Sequence, residues 1–101
     1  MVKAKFTMKS KVWFYEGKAG WYFLTLPQGP SKSIQGTFAP LARAWGSLPV
    51  TATIGKISWE TSIFPDSKKG AYVLPLKADV RKKEEIDEGN RISFSILVRL
   101  P

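Results

Sequence analysis

At 101 residues the chain has room for one domain, residues 1–101, and its 44% apolar and 24% charged content is that of a globular fold, not a disordered one. It has no cysteine and no histidine, which excludes disulfides, thiolate or imidazole catalysis and Cys/His metal sites. Sixteen Lys and Arg against eight Asp and Glu leave a net charge of +8, which favours anionic partners; the simpler reading is that it keeps a small domain soluble.

Val2, Ala4, Phe6 and Met8 alternate with Lys3, Lys5, Thr7 and Lys9, and the alternation resumes from Val12 to Tyr15. A period of two predicts a strand with one wet face. Glu16-Gly17-Lys18-Ala19-Gly20 reads as a turn and Trp21 to Leu26 as the returning strand, so residues 2–26 read as one long hairpin. Pro27 and Pro30 end it, because proline donates no ladder hydrogen bond. A short helix is expected over residues 31–38, capped by Ser31 or Ser33, followed by a loop over residues 39–46. Leu48 to Ile54 and Ser58 to Phe64 read as strands joined at Gly55-Lys56. After the polar turn from Pro65 to Gly70, Ala71 to Leu74 reads as a further strand. Leu76 to Ile86 reads as a second helix, with Leu76, Val80 and the stem of Lys83 on one face. Gly89-Asn90 breaks it, and Arg91 to Val98 is the last strand. No stretch approaches the roughly 18 apolar residues of a membrane span, and no apolar run follows the basic N-terminus as in a signal peptide. A cytoplasmic location is therefore expected.

An internal repeat runs through this pattern. Displaced by fifty, Phe14 meets Phe64, Lys18 meets Lys68, Gly20 meets Gly70, Tyr22 meets Tyr72, Leu24 meets Leu74 and Leu26 meets Leu76. Val50, Ala52 and Ile54 then match Ile92, Phe94 and Ile96. Each half reads strand, strand, helix, strand, and neither can bury its own sheet face. The fold expected is mainly β: a small closed six-stranded barrel with pseudo-two-fold symmetry and two short helices.

Candidate chemistry is sparse. Glu60, Asp66 and Asp79 are separated single acids, Asp79 complementing the start of the second helix. Glu84, Glu85, Asp87 and Glu88 read as a solvated helix end, Ser62 has no base beside it, and no Gly-rich phosphate loop is present. No catalytic residue, metal ligand or cofactor is assigned, and the sequence points away from an enzyme. Lys77 and Arg81 stand four apart after Pro75 and suit a phosphate or carboxylate cradle, with Arg43 and Trp45 as a stacking wall if their loop folds over the same mouth. Against this, Arg81 fits equally an internal ion pair with Asp79 or Glu85, and Trp45 reads better as a core plug. Lys3, Lys5 and Lys9 with Thr7 would form a charged strand face able to track phosphates, with Trp13, Tyr15 and Trp21 able to stack bases. The competing reading makes those lysines edge protection and the four tryptophans core. The favoured reading is non-enzymatic binding of a small anionic ligand, the alternative is nucleic-acid binding, and an enzyme of unknown type is the third reading.

Two stretches carry a family likeness: Trp45-Gly46-Ser47-Leu48-Pro49-Val50-Thr51-Ala52-Thr53-Ile54-Gly55, and Trp59 to Pro65 continuing through Gly70 to Arg81. With the opening hairpin, they resemble domain-of-unknown-function family nineteen-oh-five, small bacterial and archaeal β-barrels. The resemblance implies a fold and no activity. Gly89-Asn90 departs from the family's usual Gly-Asp, so a carboxylate is missing there. Leu74-Pro75 through Arg81 to Glu88-Gly89-Asn90-Arg91-Ile92 is also similar to the recurring half of cradle-loop barrels, among which many bind DNA.

Overall fold

A computed structural model describes residues 2–17 and 20–100. Six strands, β1 (Val2–Tyr15), β2 (Trp21–Thr25), β3 (Leu48–Ile54), β4 (Ile57–Asp66), β5 (Ala71–Leu76) and β6 (Arg91–Leu100), close into an antiparallel barrel in the order β1-β2-β5-β4-β3-β6. Two helices, α1 (Gln28–Phe38) and α2 (Ala78–Lys83), follow β2 and β5. The barrel is closed because each sheet has one apolar face to bury, and closure gives every strand a paired neighbour on both sides. β3 shows the pattern cleanly: Leu48, Val50, Ala52 and Ile54 are buried and the residues between them are not. Small Ala52 lies between Trp59 on one side and Ile96 on the other, so that a large neighbour fills the space it leaves.

The two-fold symmetry extends to the pairing itself. Exchanging β1 with β4, β2 with β5 and β3 with β6 turns every neighbour pair of the barrel into another neighbour pair. Leu24 pairs with its own counterpart Leu74, which places the axis there. Pro27 and Lys77 are both helix N-caps. Gly20 and Gly70 hold left-handed φ values of 62° and 63°, which a glycine adopts without steric cost. One offset differs from the repeat read in the sequence. Trp13 pairs with Phe23 as Phe64 pairs with Val73, so β1 and β4 correspond with an offset of 51 while β2 and β5 keep 50. Phe14 is therefore not the counterpart of Phe64. Lys18 lies outside the described residues.

Other boundaries also move. Residues 2–26 are not one hairpin: only Val12–Tyr15 pair with β2, and Val2–Lys11 pair with β6. Helix α1 begins at Gln28 after Pro27, with no side-chain cap, and Ser31 lies inside it. Proline is tolerated in a first turn, whose N–H groups have no helical partner. Ile34 and Phe38 pack from α1 into the core, and the segment after it forms two 3-10 turns, Ala39–Leu41 and Ala44–Gly46. Helix α2 is only six residues long; Leu76 belongs to β5, and the chain leaves the helix after Lys83. Val80 and Ile86 seal the core at that end.

Candidate functional site

The two helix starts occupy equivalent places in the two halves, and they differ in chemistry. At the α1 end, Ser31 is 3% exposed; its hydroxyl donates to the Leu26 carbonyl at 3.2 Å and accepts from the Tyr72 N–H at 3.2 Å. Pro27, Gly70 and Ala71 complete this end, and a small cavity of about 180 Å³ is lined by Ser31, Gln35, Asp66 and Tyr72. The repeat carries Pro27 onto Lys77, Ser31 onto Arg81, Ala71 onto Trp21 and Tyr72 onto Tyr22. The second end thus carries two cations and an indole where the first has proline, serine and alanine.

Arg81 and Lys77 come together there. The Arg81 N–H donates to the Lys77 carbonyl at 3.1 Å. The Arg81 guanidinium carbon sits over Tyr22, 3.6 Å from the ring centroid, and its buried Nε has no hydrogen-bond partner among the described residues. Among the described residues no carboxylate holds Arg81, so the alternative reading of an ion pair with Asp79 or Glu85 is not realised; the ion pair recorded among them joins Arg99 to Glu60 at 2.6 Å. Trp21, 47% exposed, stands beside Lys77 and links two clefts: one of about 320 Å³ with Tyr22, Lys77 and Arg81, and one of about 510 Å³ with Glu60, Phe64, Pro75 and Lys77.

Arg43 and Trp45 do not join them. Gly46 abuts Pro65, which pairs with Tyr72 at the far end of β5 from Lys77. Trp45 is not a core plug: its side chain is 89% exposed and its backbone is left-handed at φ 59°, an arrangement that costs a bulky residue roughly 1–2 kcal/mol. The tryptophans divide: Trp21 and Trp45 are exposed, Trp13 is half-buried on the outer face, and Trp59, also half-buried, packs against the core. Tyr22 is the site residue that spacing alone missed, because it meets Arg81 only across the closed barrel, and Trp21, read as a base-stacking residue, was not placed beside Lys77 and Arg81. For Trp21 the signal was present in the repeat, where its counterpart is Ala71; Tyr22 matches Tyr72 and gives no such signal.

Tyr72 gives a separate expectation. Burial pushes its phenol above the ordinary tyrosine range. The neutral form is favoured when folded, so this contribution is intact below about pH 10 and is lost as pH rises from there through the raised value. Between those limits the wild type should lose stability more steeply than Tyr72→Phe, by up to about 1.4 kcal/mol per pH unit. Parallel stability curves for the two proteins in alkaline urea titrations would contradict this.

The fold and this cleft define a small pseudo-symmetric β-barrel with one chemically distinct end. The chain belongs to the family Domain of unknown function (DUF1905), whose sequence profile matches residues 9–96. No curated protein matches it. Among the described residues, no helix is long and apolar enough to cross a membrane.

Proposed function

We propose that the domain binds a small anionic ligand between Trp21, Lys77 and Arg81. The observation that carries this is Arg81: a guanidinium stacked on Tyr22, with no carboxylate partner and a buried Nε lacking an acceptor, at a place where the other half of the same fold needs only a serine. Arg81 borders the cleft without a counter-charge, and a bound carboxylate or phosphate would pair with the part of its guanidinium that faces the cleft. Lys77 supplies a second, mobile positive charge, and Trp21 a flat apolar wall.

The experiment is thermal unfolding with inorganic phosphate, mononucleotides and dicarboxylates. A ligand at about 100 times its Kd should add about 2.7 kcal/mol. Arg81→Ser copies the other half and should fold normally while abolishing the protection; Lys77→Ala should weaken it. Protection that survives both substitutions would move the site elsewhere.

A further inference from the structure

The outward residues of β1 form an unbroken stripe. Regular pairing with β6 and then β2 shows no bulge, so Lys5, Thr7, Lys9, Lys11, Trp13 and Tyr15 all face out on one strand. Alternate residues are about 6.8 Å apart, a spacing the phosphates of an extended strand can follow. The residues opposite the first four on β6 are Leu97, Ser95, Ser93 and Arg91, with no acid among them. Lys11 faces Arg91 directly, a like-charge pair that destabilises a sheet unless a counter-charge covers it.

The stripe ends in an aromatic platform. Tyr15 and Trp21, 55% and 47% exposed, are paired across β1 and β2. Phe23 packs against both, with ring centroids 6.4 Å and 6.2 Å away, and Trp13 stacks on Phe23 at 5.0 Å. The Trp13 indole N–H donates to the Thr25 hydroxyl at 2.8 Å, and the Lys69 ammonium sits 3.6 Å over the Trp13 ring. Trp21 is also the wall of the Lys77–Arg81 cleft, so platform and anion site are continuous.

We infer that the occupant is a single-stranded nucleic acid, its bases stacked on Tyr15 and Trp21, one phosphate at Lys77 and Arg81 and others along Lys5, Lys9, Lys11 and Arg91. This deepens the anion-site reading and rests on it for the phosphate at Arg81. Flat rings rimmed by cations complement a ligand that has both π-faces and regular negative charge. A second copy of this chain would bring the same lysines and repel. Duplex bases are already stacked on each other and cannot reach the rings.

The test is titration of labelled oligothymidylate and oligouridylate into the full chain at several salt concentrations, read by anisotropy and by quenching of tryptophan fluorescence. Binding should weaken steeply with salt. Trp21→Ala should weaken it about ten-fold or more with the salt slope unchanged, Trp21→Phe should retain most of the affinity, and unfolding midpoints should show both variants folded. Lys9→Ala and Lys11→Ala should each flatten the slope by about 0.7, and Arg81→Ser should weaken binding. If neither oligonucleotide binds at low salt while phosphate still protects through Arg81, the nucleic-acid inference fails and the small-anion reading stands. Equal binding to a duplex with Trp21→Ala indifferent also overturns it, leaving only general charge attraction. If neither phosphate nor oligonucleotide responds to Arg81→Ser, both readings fall.

Discussion

Leu74→Ala should cost about 2–5 kcal/mol in urea unfolding, a large part of the roughly 5–15 kcal/mol a domain holds in total. Leu74 has no exposed surface and pairs with Leu24, likewise fully buried, where the two halves meet. Truncation removes apolar contacts and leaves a cavity lined from both halves, so neither half can relax into it alone. Leu24→Ala should cost a similar amount. The double variant should depart from the sum of the two by at least about 0.5 kcal/mol, since the two side chains share one space. Leu97→Ala, at a half-buried outward position on β6, should cost far less. A loss under about 1 kcal/mol for Leu74→Ala would contradict a common interior filled from both halves.

Ser31→Ala should cost about 1–3 kcal/mol. The hydroxyl joins the end of β2 to the start of β5 through Leu26 and Tyr72, and removing it strands a buried N–H and relieves a carbonyl of one of its partners. Alanine is the better helix former by at most about 0.7 kcal/mol, so the lost bonds decide the sign. Ser33→Ala, exposed on the same helix, has only the propensity term and should be neutral or slightly stabilising. Equal effects from the two substitutions would mean that the Ser31 bonds contribute nothing.

The strands were legible where one alternating face met one kind of neighbour. β3 from Leu48 to Ile54 was read in full, and β6 to within two residues of its end. The exchange of partners along β1 was not legible, because the alternation resumes at Val12 in the same phase after polar Ser10; what changes there is the neighbour across the ladder. Helix α2 was overextended because Leu76 and Val80 have helical spacing, yet Leu76 is held by Tyr22 in the sheet. The strand read over Ala71 to Leu74 runs on through Pro75 to Leu76, because β4 pairs only Ala71 to Val73 and the side facing it is open at the proline. At the site, Lys77 and Arg81 were legible from spacing, whereas Tyr22 beneath the guanidinium depends on closure of the barrel. Trp45 was misplaced because tryptophan's burial tendency says nothing about a left-handed turn that aims the ring outward.

Because β2 and β5, and likewise β3 and β6, are joined as counterparts about one axis, the map of pairings is satisfied equally by two identical chains of half the length. The barrel is in this sense a dimer fused into one polypeptide. Fusion frees each copy of a position to change without its twin, and the arginine at 81 against the serine at 31 is that freedom in use: one copy keeps the seam, the other sets a guanidinium over an aromatic ring.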